Sequence, residues 1–332
     1  MSQRSLREIV KAMFPAGKGL LAADESTKSS SKRLDPIGVP STPENRRRFR
    51  ELYLSAPGVE QYMSGVILVD ETLRQTDSLG VPFPKSLADR GIVPGIKVDG
   101  GTKDLPGFPE ESMTEGLDGL ADRLKEYADL GAEFAKWRAV IRIGKDIPSD
   151  ACIRLNAVSL AIYALRCQEA GIVPMVEPEV LLSGSHTMEV AEQVTTRTLK
   201  TVIDTMRLFR VDLSCAVMKT SMIVPGDTSG QVASPDHVAE ATARCLRATI
   251  PDEMGGVVFL SGGQTSEQAT LNLNAIAKLG PYPWPVTFCY ARALQYPALE
   301  IWAGKDELLP EARTAFLERL KANAAASMGH FG

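Results

Sequence analysis

Short apolar runs recur along this chain with helical segments between them, and this alternation constrains the fold more than any other feature. Helical periodicity marks the stretches between the runs, such as DHVAEATARCLRATI and SEQATLNLNAIAKLG, with Ser234 and Ser266 as candidate N-caps. Buried runs that alternate with helices indicate a parallel sheet, and eight of them predict an α/β fold of the (β/α)8 TIM barrel type rather than an open sheet. The eight runs are GLLAAD (19–24), GVILVDE (65–71), VPGIKVD (93–99), FAKWRAV (134–140), IVPMVEP (172–178), SCAVMKT (214–220), GVVFLSG (256–262) and PVTFCYA (285–291).

The composition is that of an ordinary globular protein. The chain has 332 residues, of which 44% are hydrophobic and 23% are charged, enough to bury a sizeable core. No linker or low-complexity stretch divides it, so we expect residues 1–332 to form a single TIM-barrel domain. The formal net charge of −4 gives no reason to expect nucleic acid or an anionic membrane as a partner.

No pattern in the chain is typical of secretion, membrane insertion or metal binding. The five cysteines are scattered and form no CxxC pair, as in reduced intracellular proteins. The first segment, MSQRSLREIVKAM, is amphipathic rather than a signal peptide, and no apolar run reaches the roughly 18 residues of a membrane span. Three dispersed histidines, His186, His237 and His330, do not suit a catalytic zinc site. We therefore expect a cytoplasmic protein without metal or cofactor.

Charged residues gather near the C-terminal ends of the predicted strands. Three runs carry charges separated by one residue, and because side chains alternate across a strand, both members of each pair face the same side. Edge strands with one solvated face are the alternative, but they would carry polar residues along the whole run. Enzymes with this barrel carry their chemistry at this end, so we expect the charges to meet there. The residues are Asp24, Glu71, Lys97, Asp99, Lys136, Arg138, Glu177, Glu179 and Lys219.

Lys219 lies within LSCAVMKTSMIV, a run that otherwise has the character of a buried strand. An ammonium group buried without a partner is disfavoured, so we expect the pKa of Lys219 to be lowered and its neutral amine to act as a nucleophile. The alternative is a lysine at a strand end whose ammonium group reaches solvent. The charged neighbours favour imine chemistry, in which Lys219 attacks a ketone, Glu177 moves protons, and Lys136 keeps Glu177 ionised or steers its proton.

Two groups of residues predict phosphate sites. One consists of Ser261, Gly262 and Gly263 after the seventh run and Arg292 after the eighth. Loops in these places often bind phosphate in this fold, and a guanidinium can hold phosphate oxygens in pairs. The second group consists of Ser29, Arg33 and Lys97, with Arg138 nearer the middle. Two cationic ends predict a substrate with two phosphates.

The basic run Arg46, Arg47, Arg48 and Arg50 lies in TPENRRRFRELYL, a capped helix by its sequence. Its simplest interpretation is a solvated helical face, with phosphate binding as the alternative.

Nine blocks of the sequence resemble, in order and spacing, the class I fructose-1,6-bisphosphate aldolases, and they cover nearly the whole chain. The resemblance implies reversible, metal-independent cleavage of fructose 1,6-bisphosphate to dihydroxyacetone phosphate and glyceraldehyde 3-phosphate in glycolysis and gluconeogenesis, usually by a homotetramer. The blocks are GKGLLAADEST, GVILVDETL, GIKVD, FAKWR, GIVPMVEPE, SCAVMKTSMIVPG, FLSGGQ, LNLNAI and RALQ after Tyr290.

The resemblance also implies roles for individual residues. The lysine matching Lys219 forms the Schiff base and the residue matching Glu177 is the main proton shuttle, while those matching Asp24, Lys136 and Glu179 complete the catalytic group. Residues matching Ser261, Gly262 and Arg292 hold the C1 phosphate, and those matching Ser29, Arg33, Lys97 and Arg138 contact the remainder of the substrate, including its C6 phosphate.

Two departures from the family pattern lead to further expectations. Ala291 stands where the family commonly has glycine, and because alanine lacks glycine's freedom at positive φ, we expect altered phosphate geometry there. The sequence ends at SMGHFG, without the terminal tyrosine that helps proton exchange at C3 of the enamine in many eukaryotic members. Protonation of the enamine is therefore expected to limit turnover.

Two other functions stay open on the sequence alone. The first is another Schiff-base barrel, such as a transaldolase or an aldolase for a different phosphosugar, which would not need two phosphate sites. The second is a catalytically inactive barrel kept as a binding or scaffold protein, against which the intact set of Lys219, Glu177, Asp24 and Lys136 speaks.

Overall fold

Eight parallel strands close into a barrel, and each overlaps one of the eight predicted runs. The computed structural model describes residues 4–332. The strands are β1 Gly19–Ala22, β2 Met63–Leu68, β3 Val93–Lys97, β4 Thr102–Asp104, β5 Ser112–Thr114, β6 Phe134–Ile141, β7 Val173–Val180, β8 Val217–Thr220, β9 Gly256–Phe259 and β10 Val286–Tyr290. The barrel runs in chain order through β1, β2, β3 and β6 to β10, which pairs with β1, while β4 and β5 form a separate antiparallel hairpin. The predicted TIM-barrel fold is confirmed.

Helices connect the barrel strands and cover the outside of the sheet. The α-helices are α1 Leu6–Met13, α2 Thr27–Leu34, α3 Pro43–Leu54, α4 Asp70–Leu73, α5 Phe83–Asp89, α6 Leu120–Asp129, α7 Asp150–Glu169, α8 Met188–Leu208, α9 Pro235–Thr249, α10 Ser266–Lys278, α11 Arg292–Trp302 and α12 Leu309–Ser327. Short 3-10 turns occupy Asp35–Ile37, Val59–Gln61, Leu213–Cys215 and Asp306–Leu308. Among residues 4–332, no helix combines the length and the apolar character that crossing a membrane requires.

The predicted N-caps are right for one helix and wrong for another. Ser234 caps α9, since its hydroxyl accepts from the backbone N–H of His237 at 3.3 Å. Ser266 is instead the first residue of α10, and Thr265 caps the helix. The Thr265 hydroxyl accepts from the Gln268 N–H at 3.1 Å, and the Gln268 side chain accepts from the Thr265 N–H at 3.1 Å. This reciprocal pair satisfies two free N–H groups, whereas the prediction considered only one.

The N-terminal helix α1 closes the bottom of the barrel. The predicted amphipathic segment includes it, although residues 1–3 lie outside the described part of the chain. Its apolar face packs into the barrel interior, with a cluster that joins Ile9, Val10 and Met13 to Leu20, Val93, Phe134, Val173 and Val217. An apolar floor excludes water from the lower barrel, so the polar side chains of the interior lie toward the C-terminal ends of the strands.

The basic run in α3 is not the solvated face that the sequence predicts. Arg50 is 1% exposed, and its guanidinium donates to the Glu25 carbonyl at 2.6 Å and to the Ser30 hydroxyl at 3.0 Å. Arg46 is also buried and pairs with Glu71 at 2.6 Å. The prediction is wrong for these two arginines because their partners come from other parts of the chain. They tie α3 to the ends of β1 and β2, and Glu71 consequently faces α3.

Candidate active site

A cleft of about 490 Å³ opens at the C-terminal ends of the barrel strands. It brings together all the predicted catalytic and phosphate-binding residues except Gly263, which stands beside it. The residues that line it are Ala22, Asp24, Glu25, Ser26, Ser29, Arg33, Lys97, Asp99, Gly100, Gly101, Thr102, Lys136, Arg138, Glu177, Glu179, Lys219, Leu260, Ser261, Gly262, Cys289, Ala291 and Arg292. The prediction that charges from several strands meet at one place is confirmed for eight of the nine charged residues and is wrong for Glu71, which pairs with Arg46 of α3 instead.

Four side chains at the bottom of the cleft form a continuous chain of alternating charge. The ammonium nitrogen of Lys219 on β8 lies 3.2 Å from Oε1 of Glu177 on β7. The other carboxylate oxygen of Glu177 lies 3.2 Å from the ammonium nitrogen of Lys136 on β6, which lies 2.6 Å from Oδ2 of Asp24. The side chains of Lys219, Lys136 and Glu177 are each 4% exposed. Two buried cations are thus balanced by two carboxylates.

The predicted lowering of the Lys219 pKa is wrong. Burial acts to lower the pKa of Lys219, but the neighbouring Cys289 and the Glu177 carboxylate act in the opposite direction and raise it above the ordinary value for lysine. The buried ammonium of Lys219 has a partner that its own strand does not show, because Glu177 reaches it from the adjacent strand. The resting amine is therefore protonated, and Glu177 is the base placed to deprotonate it.

Asp24 and Glu177, the two carboxylates among these four side chains, are ionised at neutral pH. Burial would raise the pKa of Asp24, but Lys136 and Lys219 lower it to about 2. The same balance of burial against Lys136 and Lys219 lowers the pKa of Glu177. Lys136 shows the converse effect, since Asp24 and Glu177 outweigh burial and raise its pKa. Lys136 thus keeps Glu177 in the form that accepts a proton, as predicted.

A second set of charges lies higher in the cleft. The Lys97 ammonium nitrogen lies 2.5 Å from Oδ1 of Asp99 and 2.9 Å from the Asp99 carbonyl oxygen. Arg138 forms an ion pair with Glu179, and its backbone N–H donates to Oδ2 of Asp99 at 3.3 Å. Asp99 lines the cleft, as its place among the charged strand ends predicts, although no catalytic or phosphate-binding role was assigned to it.

The predicted phosphate loop contains two glycines with positive φ, a conformation that other residues rarely adopt. Gly262 and Gly263 have φ values of +52° and +93°, in the region that favours glycine. Ser261 is buried at the rim of the cleft, and exposed Arg292 begins α11 directly after β10. Within residues 4–332, Arg292 makes no ion pair with another side chain. Its guanidinium is therefore free to meet an anion beside this loop.

Ala291 is the N-cap residue of α11 and precedes Arg292. Its φ of −104° is negative, so the positive φ that the expectation assumed is absent, but its ψ of −91° lies outside the regions that L-residues favour. Altered phosphate geometry at this position stays a prediction.

The neighbouring wall of the cleft is built by α2, which contacts α11, the helix that Arg292 begins. Ser29 and Arg33 of α2 line the cleft, with Ser26 as the N-cap of that helix. The Arg33 guanidinium donates to the Tyr296 hydroxyl at 2.6 Å. Tyr296 was not found from the sequence, where it is one residue of an ordinary helix. Cys289 of β10 was also missed, although it belongs to a predicted strand.

No metal cluster was predicted, and in the described part of the chain no group of three or more His, Cys, Asp or Glu residues has the arrangement of a metal site.

Comparison with known proteins identifies the family. The family model described as fructose-bisphosphate aldolase class-I matches residues 5–332. The chain is 50% identical over 331 residues to a probable fructose-bisphosphate aldolase class 1 of Xanthomonas campestris pv. campestris, covering 99% of both chains. It is 48% identical over 316 residues to the cytosolic fructose-bisphosphate aldolase 4 of Arabidopsis thaliana, covering 95% of this chain and 80% of the relative.

A solved structure extends the likeness to three dimensions. It is fructose-bisphosphate aldolase from Plasmodium falciparum in complex with TRAP and a small-molecule inhibitor. The TM-score is 0.97 at 44% identity, with 98% of this chain and 95% of that chain covered. Since the family model and these relatives match almost end to end, and the barrel and its cleft follow the pattern that the sequence blocks suggested, the chain belongs to the class I fructose-bisphosphate aldolase family.

Proposed function

We propose that this protein cleaves fructose 1,6-bisphosphate reversibly to dihydroxyacetone phosphate and glyceraldehyde 3-phosphate, through a Schiff base on Lys219 and without a metal ion. The observation that carries the proposal is the buried contact of Lys219 with Glu177, which also contacts Lys136. Family membership and the names of the relatives support the same activity. We also propose a role in glycolysis and gluconeogenesis and a homotetramer, as the family resemblance implies, and a single domain in the cytoplasm, as the composition and the sequence patterns indicate.

The first chemical step is formation of the imine. Lys219 gives a proton to Glu177, whose Oε1 is 3.2 Å away, and the free amine attacks the ketone carbon of the substrate. The attack gives a carbinolamine, and Glu177 returns the proton to its hydroxyl group, which leaves as water. The products are an iminium ion on Lys219 and Glu177 as a carboxylate again. This cation withdraws electrons from the neighbouring carbon–carbon bond.

The second step breaks that bond. A base removes the proton of the hydroxyl on the far carbon, the aldehyde product forms, and the bonding electrons move into the iminium to give an enamine on Lys219. Glu177 suits this role because Lys136 holds its pKa low, so it starts as a carboxylate. Protonation of the enamine and hydrolysis of the imine then release dihydroxyacetone phosphate and restore the lysine.

The two ends of the cleft suit the two phosphates of the substrate. We assign the C1 phosphate to Ser261, Gly262 and Arg292, with Gly263 shaping the loop. The remainder of the substrate, with its C6 phosphate, lies toward Ser29, Arg33, Lys97 and Arg138. Asp24 forms an ion pair with Lys136, and Glu179 forms one with Arg138. Through these ion pairs, the two carboxylates position the cations of the site.

Borohydride trapping tests the covalent step. Reduction in the presence of dihydroxyacetone phosphate should inactivate the enzyme and label the peptide that contains Lys219. Lys219→Met should remain unlabelled, whereas Lys97→Met, the matched control at the same cleft, should still be labelled. Label on Lys97 or Lys136 in the wild type, or no label at all, would contradict the assignment.

A substrate panel tests the reaction. Fructose 1,6-bisphosphate should be cleaved far faster than fructose 6-phosphate. Preference for fructose 6-phosphate with transfer to an aldehyde acceptor would instead favour a transaldolase, and absence of single-turnover cleavage would favour an inactive binding protein.

A further inference from the structure

Arg33 has an aromatic partner at the mouth of the cleft. Its guanidinium donates to the Tyr296 hydroxyl at 2.6 Å, and its central carbon lies 5.1 Å from the centroid of the Tyr296 ring. Both a hydrogen bond and a cation–π contact therefore join the two side chains. Tyr296 lies four residues after Arg292, so α11 presents both residues on one face. Two helices that flank the cleft are thus linked through a cation that lines it.

A competing partner for Arg33 lies deeper. Oε1 of Glu25 is 3.9 Å from Nε of Arg33, and Glu25 is 7% exposed. Neither carboxylate oxygen of Glu25 makes a hydrogen bond with a described residue, nor does Nε of Arg33. The contact is a long ion pair, and the other carboxylate oxygen of Glu25 lies 3.6 Å from the buried guanidinium of Arg50. Because Glu25 still lacks hydrogen bonds, it favours a closer approach of Arg33. The Tyr296 contact opposes that approach.

We infer that Tyr296 is a positioning residue that keeps Arg33 at the mouth of the cleft for the distal phosphate of a bisphosphorylated substrate. The inference rests on the proposed function, which places that phosphate near Arg33. A neutral phenol holds the guanidinium without cancelling its charge, whereas a closer ion pair with Glu25 than the present 3.9 Å would weaken the attraction of Arg33 for phosphate. The Tyr296 oxygen accepts from Arg33, so the hydroxyl hydrogen remains available for a phosphate oxygen.

The helix that carries Tyr296 is braced at this turn. Pro297 lies inside α11 and has no N–H for the carbonyl of Ala293, four residues earlier. Nε of Arg319 in α12 donates to that carbonyl at 3.4 Å. The turn that bears Tyr296 is thereby tied to the neighbouring helix, which gives the phenol a defined place.

The test compares Tyr296→Phe and Tyr296→Ala with Tyr282→Phe. Tyr282 is the matched control because Arg247 also lies over its ring, at 5.3 Å, away from the cleft. We would measure kcat and KM with fructose 1,6-bisphosphate and with fructose 1-phosphate, which lacks the distal phosphate. Calorimetric Kd values for hexitol 1,6-bisphosphate and hexitol 1-phosphate give a readout independent of catalysis.

Tyr296→Ala should raise KM for the bisphosphate about tenfold, the loss expected when a group that supports a charged hydrogen bond is removed. Tyr296→Phe should raise it about threefold, since the ring contact remains while the hydroxyl is lost. Values for fructose 1-phosphate and for Tyr282→Phe should stay near wild type. For the Tyr296 variants, the Kd of hexitol 1,6-bisphosphate should rise, and the Kd of hexitol 1-phosphate should stay near the wild-type value.

Equal losses for the mono- and bisphosphates would overturn the inference, as they would indicate a structural role only. Unchanged values for both Tyr296 variants would also overturn it. If the wild type fails to cleave fructose 1,6-bisphosphate, the proposed function is wrong, and the calorimetry alone then decides about Tyr296. Selective weakening of bisphosphate binding would support its positioning role, and unchanged binding would refute it.

Discussion

Replacement of Lys136 by methionine tests the electrostatics at the bottom of the cleft. Lys136 lies 2.6 Å from Asp24 and 3.2 Å from Glu177. Methionine keeps most of the side-chain volume but removes the charge, so two buried carboxylates lose their nearest cation. Breaking a buried pair from one side is destabilising because the remaining charge is left without compensation.

The magnitude follows from Asp24. Its pKa of about 2 in the folded protein, against an ordinary 3.8, corresponds to about 2–3 kcal/mol of stabilisation at neutral pH. A chain of 332 residues has an unfolding entropy of roughly 0.7 kcal/mol per kelvin, so this loss lowers Tm by about 3–4 K. A carboxyl group with a lowered pKa stabilises the fold above its ordinary pKa, and this contribution is lost as pH falls from 3.8 toward 2. In the variant, Asp24 loses the cation that lowers its pKa most, so its carboxyl group takes up a proton at a higher pH than in the wild type.

Differential scanning calorimetry at pH 7 and at about pH 2.5 measures both effects, because the second pH lies inside the window in which the Asp24 contribution is lost. Lys136→Met should melt about 3–4 K below the wild type at pH 7 and should approach it at the acidic pH. Lys97→Met is the matched control, because its ion pair with Asp99 is more exposed, with 21% of the lysine side chain accessible, and should change Tm by about 1 K or less. Equal melting of Lys136→Met and wild type at pH 7, or a deficit independent of pH, would refute the reasoning.

Three further predictions concern ligand binding and catalysis. Arg292→Ala should weaken binding of phosphorylated ketoses about 10- to 100-fold, by loss of a charge-assisted hydrogen bond, and leave unphosphorylated ketoses almost unaffected; equal loss for both would remove Arg292 from the phosphate site. Ala291→Gly should leave KM for fructose 1,6-bisphosphate within about twofold of wild type, because φ at this position is negative and does not use the left-handed freedom of glycine. A marked fall in KM would show that the ψ of −91° strains alanine and constrains the loop. Turnover should persist in EDTA, since the proposed chemistry uses the Lys219 amine, and loss of activity that zinc restores would contradict it.

The sequence by itself determined the number, order and type of the barrel strands. It also located the charges at one end of the barrel, including Lys219, Glu177 and Asp24. Both results depend on local patterns: buried strands are short and apolar, and side chains alternate along them with a period of two. Each of these patterns depends only on residues that are close together in the sequence. They can therefore be recognised without knowing which strands become neighbours.

The tertiary structure alone decided how these groups affect one another. The pKa of Lys219 is raised rather than lowered because Glu177 and Cys289 come from other strands, and Arg50 is buried because Glu25 and Ser30 supply its partners. Arg33 and Tyr296 meet although 263 positions separate them along the chain. Coulomb energies and burial depend on distances of a few ångströms, and closure of the barrel sets those distances between residues far apart in sequence.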